Sequence, residues 1–308
     1  MFSPGTGAWF RRRPPRTTNV LIPRGLKKII VTGDDFGLAP QVNAAIIEAH
    51  RSGILTAASL MVGEKYWQEA AEAAKEHPSL KVGLHLTLVE GTPVLDPRRI
   101  PDLVDGSGKF PADLVRAGFR FFFRSGIRSQ LEDEIRAQFE RFCGTGLKLD
   151  HVDAHNHMHL HPTVLRIIVK AGKEYGVKGV RLPNEPPFIS WKASGKSLGP
   201  RLCSWMFLYP WITVMKLMLR RAGIRHNDYL FGMNDSGAMT EELALRLVAN
   251  LPDGITEFCF HPATGRCEEI DSTMPRYRHQ DEYSALVSES LRRALQVQRA
   301  ERIAFSDI

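Results

Sequence analysis

The densest group of reactive side chains lies between Asp150 and Pro162, a segment that holds five of the eleven histidines in the sequence. From His151 onward a histidine or an aspartate occupies every second position, so an extended backbone would point His151, Asp153, His155 and His157 to one face. Imidazole and carboxylate groups are typical ligands of Zn²⁺ and similar divalent ions. A solvated histidine-rich loop is the alternative, but the segment follows an apolar strand and precedes a helix. The pattern therefore predicts a metal site, with some side chains as ligands and others orienting them.

Two adjacent carboxylates, Asp34 and Asp35, follow the first apolar run in a Gly-Asp-Asp-Phe-Gly motif at residues 33–37. Burying even one carboxylate costs several kcal/mol unless a cation or hydrogen bonds compensate. A helix N-cap would explain one aspartate here but not two. The pair therefore indicates function, since one carboxylate can hold a metal ion while the other stays free as a base.

Two single histidines occupy similar places elsewhere. His85 stands in Gly-Leu-His-Leu-Thr at the end of one apolar run, and His261 stands in Phe-Cys-Phe-His-Pro at the end of another. A histidine in such surroundings is more often a hydrogen-bonded core residue than a ligand. The active sites of barrels, however, are built at the carboxyl ends of strands, where both histidines and the aspartate pair fall. This convergence favours one shared site.

Apolar runs alternate with helical patterns from residue 28 to the end of the chain. The strand candidates are Lys28–Thr32, Ala57–Val62, Lys81–Leu86, Lys148–Val152, Gly179–Leu182, Tyr229–Phe231, Ile255–Phe260 and Arg302–Phe305. The helix candidates between them include Pro40–Arg51, Tyr66–His77, Ser129–Cys143, Pro162–Tyr175, Thr240–Ala249 and Tyr283–Arg299. Such alternation predicts a parallel sheet, and seven or eight repeats predict closure into a (β/α) TIM-like barrel.

Charge is distributed unevenly along the chain. Residues 1–28 carry seven of the 41 lysines and arginines and no acid, which leaves the remainder with equal numbers of basic and acidic residues. We therefore expect a flexible basic tail at 1–27, without the apolar stretch of a signal peptide, and a barrel domain at 28–308 that does not bind nucleic acid. The four cysteines form no paired motif, which favours a reducing compartment.

One long stretch interrupts the strand–helix alternation. The segment Pro186–His226 holds seven lysines and arginines and no acid, and within it Cys203–Leu219 is almost wholly apolar. Pro210 and Lys216 interrupt this apolar run, whereas a helix that spans a bilayer needs about 20 uninterrupted apolar residues. We therefore expect an insertion at about 186–226 that does not cross a membrane.

The four motifs, in this order, resemble those of the YdjC-like carbohydrate deacetylases (ChbG-like), and most closely the HpnK branch associated with hopanoid biosynthesis. The similarity runs from about Lys28 to the C-terminus. The resemblance implies a (β/α) barrel related to polysaccharide deacetylases, one divalent metal ion, and hydrolysis of the acetamide of N-acetylated amino sugars. It further implies Asp35, His85 and His155 as metal ligands, with Asp34 as the base and His261 as the acid.

The roles of the neighbouring polar residues are less closely defined by the sequence. We expect them to bind substrate or to orient the ligands, and Arg181 either to bind substrate or to neutralise Asp34. These residues are Asp153, His157, His159 and Arg181. Because Asp34 and Asp35 are adjacent, their roles could be exchanged. The ligand set admits Mg²⁺, Mn²⁺ and Co²⁺ beside Zn²⁺, which is slightly favoured.

Bulky apolar residues beside arginines bear on the substrate. A barrel helix packed into the core is the plainer explanation, but the composition is also that of an interfacial helix on an anionic membrane. The residues expected to contact lipid are Trp205, Phe207 and Trp211 in the insertion, and Phe121 and Phe122 in an earlier connection. We therefore expect a cytoplasmic protein, peripheral on the inner face of the cytoplasmic membrane, that converts an N-acetylglucosaminyl hopanoid to the glucosaminyl hopanoid and acetate.

Three alternatives remain open at this point. A soluble chitooligosaccharide deacetylase would use the same chemistry without a membrane. Metal-dependent phosphoesterases and amidohydrolases usually carry a histidine pair on the first strand, where this chain carries Asp34 and Asp35. A metal-storage or metal-sensing protein would not need His85 and His261 at the ends of other strands.

Overall fold

The computed structural model describes residues 25–308, apart from Ser197. Most of the predicted basic tail, residues 1–24, therefore lies outside the described residues. The described part folds into a curved parallel sheet with helices packed on it, which confirms the predicted α/β class.

The sheet has seven strands, and every strand pair is parallel. They are β1 (Lys27–Phe36), β2 (Ala57–Leu60), β3 (Lys81–Leu86), β4 (Leu149–Ala154), β5 (Tyr229–Phe231), β6 (Gly254–Phe260) and β7 (Glu301–Arg302). Their order across the sheet is β4-β3-β2-β1-β6-β5, with β7 paired to β1. The central strand β1 is covered on both faces, and its residues Ile29, Ile30 and Val31 are fully buried. Burial on both faces is the usual reason why parallel strands read as unbroken apolar runs.

The sheet forms a half-barrel, and the predicted closure by seven or eight full strands is not shown. The expected strand Gly179–Leu182 is reduced to isolated pairings, Val180 with Val152 and Gly179 with Arg225. Pro183 follows this segment directly and has no backbone N–H to donate, which interrupts the ladder, although the carbonyl of Asn184 still accepts the N–H of Leu230 on β5 at 3.0 Å. The short segment nevertheless bridges the gap between β4 and β5, and it carries Arg181.

Eleven α-helices surround the sheet in the described part of the chain. They are α1 (Pro40–Ser52), α2 (Trp67–Lys75), α3 (Leu114–Phe123), α4 (Ser125–Gly144), α5 (Pro162–Tyr175), α6 (Pro187–Ser194), α7 (Leu198–Ala222), α8 (Glu241–Ala249), α9 (Glu268–Thr273), α10 (His279–Leu286) and α11 (Glu289–Val297). The single helix predicted over Tyr283–Arg299 is instead two helices. Ser288 separates them because its hydroxyl accepts the N–H of Leu291 and starts α11 afresh.

The insertion is mostly one long helix, α7. It runs through Pro210 and Lys216, which corrects the expectation that these residues would limit the apolar segment. By length and composition alone, α7 is therefore apolar enough to cross a membrane. Its buried side, which includes Ile212, Met215 and Leu219, faces the protein core. Packing of this side offsets the hydrogen bond that proline removes from the helix.

Candidate metal and catalytic site

The two adjacent aspartates lie at the end of β1 and serve different partners. Asp35 has a left-handed backbone, with φ at 63°, which is costly for a residue other than glycine. Successive side chains of a regular strand point to opposite faces. The left-handed backbone at Asp35 breaks this alternation, and both Asp34 and Asp35 are buried within one polar cluster. The strain is thus located where the carboxylates converge.

Asp35, His85 and His155 form the first group of this cluster. The Oδ1 atom of Asp35 lies 3.5 Å from Nε2 of His85 and 3.2 Å from Nδ1 of His155. One potential ligand atom from each of these residues lies within 4.8 Å of the other two. Oδ2 of Asp35 is buried and has no hydrogen-bond partner among the described residues. A buried carboxylate that contacts two imidazoles through one oxygen and leaves the other without a partner fits a divalent cation.

Asp153 orients His85 through the ring nitrogen that does not face Asp35. Its Oδ1 lies 2.9 Å from Nδ1 of His85, so the Nδ1–H donates to this carboxylate and Nε2 is left facing Asp35. Metal-binding histidines are commonly oriented by such a carboxylate. Asp153 also accepts a hydrogen bond from Ser59, which lies on β2. The sequence expectation that Asp153 orients a ligand agrees with this geometry.

The protonation of the group follows from its burial and its charges. Burial alone would raise the pKa of Asp35, but the hydrogen bond and charge of His155, with the charges of His261 and His85, lower it to about 2. Burial alone would lower the pKa of His85, whereas Asp153, Asp34 and Asp35 together raise it to about 9. A metal ion must therefore displace a proton from His85, as is usual when metal binding couples to ligand pKa.

Arg181 holds Asp34 in a second, fully buried group. Its two Nη atoms donate to the two carboxylate oxygens of Asp34 at 2.7 and 2.8 Å, and it also pairs with Asp153 at 2.6 Å and Glu257 at 2.8 Å. Burial would raise the pKa of Asp34, but the guanidinium keeps it well below the usual range. Of the two roles expected for Arg181, the geometry supports neutralisation of Asp34. Glu257 was not predicted from the sequence, although an acidic residue within the apolar run of β6 indicates a buried polar site.

His261 lies on the other side of Asp34. Its Nε2 is 4.0 Å from Oδ2 of Asp34, and its ring packs edge-on against Tyr277 with the centroids 5.2 Å apart. Burial lowers the pKa of His261, while Asp35 and Asp34 oppose this shift. The Sγ of Cys259 also donates to Oδ2 of Asp34, at 3.0 Å. The sequence did not single out Cys259, which lies near the end of β6, two positions before the histidine.

The histidines beyond His155 do not share one face, so that part of the sequence prediction is wrong. Strand β4 ends at Ala154, and His155–Leu160 form a 3-10 helix in which Asn156 and His157 have left-handed backbones. Alternation therefore stops where the strand stops. His157 lines the cavity above the cluster, whereas His159 is wholly buried and does not line it. Burial lowers the pKa of His159 to about 3, so this ring is neutral.

A cavity of about 210 Å³ opens above the cluster. Four of the five residues expected to carry the chemistry line it, namely Asp34, His85, His155 and His261, whereas Asp35 lies beneath them and does not. The remaining wall of the cavity comes from loops that the sequence did not single out. These lining residues include Glu90, Asn156, Met233, Ser236, Met274 and Tyr277. The cavity gives a small polar substrate access to both groups of the cluster.

Residues 28–297 match the family of YdjC-like proteins. The chain belongs to this family. A carbohydrate deacetylase of Brevibacillus brevis is 34% identical over 284 residues, covering 91% of this chain and 99% of that protein. A carbohydrate deacetylase of Geobacillus stearothermophilus is 39% identical over 157 residues, covering 51% of this chain and 58% of that protein. A solved structure from Enterococcus faecalis V583, provisionally described as a cellobiose-phosphate cleavage protein, has a TM-score of 0.71 at 24% identity, over 92% of this chain and 98% of that one. This last likeness shows a shared fold.

The aromatic residues expected to contact lipid lie differently in this YdjC-like structure. Phe121 is only 4% exposed and belongs to the core, which corrects its assignment to a lipid-contacting surface. Its neighbour Phe122 is exposed, and so is Phe207 on α7, at 83%. Trp205 and Trp211 are half-buried; Trp205 packs on Tyr209, and the indole N–H of Trp211 donates to the carbonyl of Leu160.

Proposed function

We propose that this protein is a metal-dependent N-deacetylase that hydrolyses the acetamide of an amino sugar. The observation that carries the proposal is the group Asp35, His85 and His155, with its unpartnered carboxylate oxygen, beside a separate carboxylate–histidine pair, Asp34 and His261. Such a site offers a cation-binding position, a base and an acid around one cavity. Relatives named carbohydrate deacetylases support the choice of substrate.

Asp35, His85 and His155 would hold the ion. Two imidazoles and a carboxylate favour Zn²⁺ slightly, although the same set admits Mg²⁺, Mn²⁺ and Co²⁺. A divalent ion bound by these residues would supply Lewis acidity toward the acetyl carbonyl and would lower the pKa of a water molecule. Asp35 is the better candidate ligand of the two aspartates, because Arg181 already occupies both oxygens of Asp34.

The chain's own residues supply the proton transfers. Asp34 remains ionised because of Arg181, and it takes a proton from the attacking water. The water oxygen bonds to the acetyl carbon, and the carbon–nitrogen bond breaks. His261, whose Nε2 faces Asp34 at 4.0 Å, donates a proton to the departing nitrogen. The products are acetate and the free amine.

The substrate we propose is a lipid-linked sugar, an N-acetylglucosaminyl hopanoid, as expected for the HpnK branch. Two exposed apolar faces support this choice, one on α3 with Phe119 and Phe123, the other on α7 with Met206 and Phe207. Contiguous exposed apolar residues mark interaction surfaces. Exposed arginines lie on or next to both helices, as at an anionic membrane: Arg116 and Arg124 on the first, Arg220 and Arg221 on the second.

Helices α3 and α7, which carry these faces, both contact the segment that follows His155. The rings of Phe121 and Phe122 in α3 contact the ring of His161, with centroids 5.9 and 6.2 Å apart. Helix α7 contacts the same segment through Trp211 and the carbonyl of Leu160. A membrane bound by these helices would therefore lie beside the 3-10 helix that lines the cavity, where a sugar on a lipid anchor would arrive.

We infer that α7 lies on the membrane surface and does not cross the membrane. Arg201 in its first turns is 6% exposed and forms two hydrogen bonds of 2.8 Å with Asp235. Crossing would require this buried pair to break, which is strongly unfavourable. The protein would then be cytoplasmic, peripheral on the inner face of the cytoplasmic membrane.

The test compares vesicle binding and turnover in the wild type and in a variant with Met206→Ser and Phe207→Ser. We expect the wild type to sediment with anionic vesicles and to deacetylate an acetylglucosaminyl lipid faster than di-N-acetylchitobiose. The variant should lose vesicle binding and lipid turnover but keep its rate on the soluble sugar. Val297→Ser on α11, which also replaces an exposed apolar residue, is the matched control.

Two outcomes would overturn parts of the proposal. An absence of vesicle binding together with faster turnover of the soluble sugar would identify a soluble chitooligosaccharide deacetylase. Turnover of a nitrophenyl phosphate without turnover of any acetamide would identify a phosphoesterase and refute the deacetylase assignment itself.

A further inference from the structure

Two side chains from the first turn of α10 contact the backbone of His261, one at its N–H and the other at its carbonyl oxygen. The carboxylate Oε2 of Glu282 accepts the N–H of His261, and Nδ1 of His279 lies 2.7 Å from its carbonyl oxygen. His279 and Glu282 are three residues apart, so they lie on one side of the helix. The histidine that is held in this way lines the cavity.

Glu282 also connects this contact to a second loop. The side chain is fully buried, and its Oε1 accepts the backbone N–H of Met239 at 2.9 Å. Met239 precedes α8, so Glu282 fixes the end of β6 relative to the loop that leads out of β5. A buried carboxylate that accepts two backbone hydrogen bonds is held in a single orientation, because turning it would leave both donors unpaired.

The imidazole of His261 lacks a partner on the side that faces Glu282. Its Nδ1 is buried and has no hydrogen-bond partner among the described residues, and it lies 3.9 Å from Oε2 of Glu282. A protonated imidazole has two donors, and a buried donor without an acceptor is costly. Nε2 points toward Asp34 and the cavity. At 3.9 Å the two atoms are too far apart for a hydrogen bond, but Oε2 of Glu282 faces Nδ1 and can accept from it after a small rotation of the ring, when the ring carries its second proton.

We propose that Glu282 is a positioning residue for His261, which it aims at the cavity by its backbone contact and stabilises as an acid through Nδ1. The inference rests on the proposed function, because it assumes that His261 protonates the departing amine. Glu282 itself does not line the cavity and touches no substrate. Its effect should be limited to reactions in which the leaving group needs a proton.

The experiment uses the metal-loaded enzyme and two substrates that differ in this need. Cleavage of an acetamide requires protonation of the nitrogen, whereas nitrophenyl acetate releases a nitrophenolate that leaves unprotonated. Glu282→Gln should lower kcat for the acetamide by about 10- to 100-fold, the usual effect of residues that orient a site. KM for the acetamide and kcat for nitrophenyl acetate should stay close to their wild-type values.

Glu134→Gln is the matched control. Glu134 is also fully buried and also accepts two backbone N–H groups, those of Val94 and Leu95 at 2.8 and 3.0 Å, but it lies on α4 and does not contact His261. The control therefore carries the structural cost of the same exchange without the effect on His261. It should leave the ratio of acetamide to ester turnover unchanged.

An equal loss on both substrates in Glu282→Gln, or no loss on either, would overturn the inference. If Glu282→Gln does not fold, His279→Leu serves as a second variant, because it removes the other side-chain contact to the backbone of His261 while Glu282 remains. The same selective loss of acetamide turnover is then expected. An equal loss on both substrates would again refute the positioning role. A wild type that cleaves no acetamide would instead refute the proposed function, and this inference with it.

Discussion

Replacing Arg181 by methionine is expected to lower the free energy of unfolding by about 3–5 kcal/mol at neutral pH. The guanidinium is fully buried and contacts Asp34, Asp153 and Glu257. Methionine fills much of the same space but brings no charge, so three buried carboxylates lose their shared cation. Breaking a buried ion pair by removing one partner carries a cost of this size, which is a large part of the roughly 5–15 kcal/mol that stabilises a typical domain.

The loss should depend on pH in a definite direction. In the wild type the pKa values of Asp34 and Asp153 are lowered by Arg181, so their stabilising contribution is present above the unfolded pKa and is lost as pH falls. In the variant, burial without the cation raises these pKa values. The unfolded state then binds fewer protons than the folded state, and stability falls as pH rises. The difference between the two proteins should therefore be largest near pH 7 to 8 and should shrink toward about pH 4.

Urea unfolding of the metal-free proteins, followed by circular dichroism at pH 7.5 and pH 5, measures this difference. Arg136→Met is the control, because Arg136 also meets two carboxylates, Glu132 and Glu174, but at the protein surface. Surface ion pairs contribute little, so this variant should unfold much as the wild type does. If Arg181→Met costs no more than Arg136→Met, or if its deficit grows toward pH 5, the account of the buried cluster is refuted.

Two further predictions concern the metal ligands and the base. His85→Ala and His155→Ala should each lose bound metal, measured by elemental analysis, and acetamide turnover, measured by a rate assay. Their circular dichroism spectra should stay unchanged. Full activity of either variant after chelation would contradict the assignment of these histidines as ligands. Asp34→Asn should keep the metal but lose about 10²- to 10⁴-fold in rate, and metal loss in Asp34→Asn with retention in Asp35→Asn would show that the two roles are reversed.

The convergence of the site could be predicted from the sequence because it depends on strand ends. Six of the eight strand candidates correspond closely to β1, β2, β3, β4, β5 and β6. Since parallel strands end at the same edge of a sheet, residues at the ends of β1, β3 and β4 are expected at that edge, and Asp35, His85 and His155 lie together there. This is a consequence of topology alone, and it does not require knowledge of any loop.

The loops around the cavity could not be predicted in the same way. The left-handed turn at Asn156 and His157 ends the alternation of β4, and no residue in the histidine-rich pattern marks that boundary. Glu282 reaches His261 from a helix that begins 18 residues later, and a contact of this kind leaves no periodic signal. Helix α7 likewise continues through Pro210 because tertiary packing overrides the local preference.

The charge balance of the buried cluster is itself an argument for a divalent ion. Four carboxylates are buried there: Asp34, Asp35, Asp153 and Glu257. Their partners within residues 25–308 are Arg181, which is permanently charged, and the imidazoles of His85, His155 and His261, which are charged only when protonated. Burial raises the pKa of Glu257, while the charge and hydrogen bond of Arg181 oppose this shift. Four carboxylates beside one permanent positive charge leave up to three negative charges to be neutralised by protons or by a cation. A divalent cation beside Asp35 would supply two positive charges and give the unpartnered oxygen of Asp35 a ligand role, so that fewer buried imidazoles need to hold extra protons.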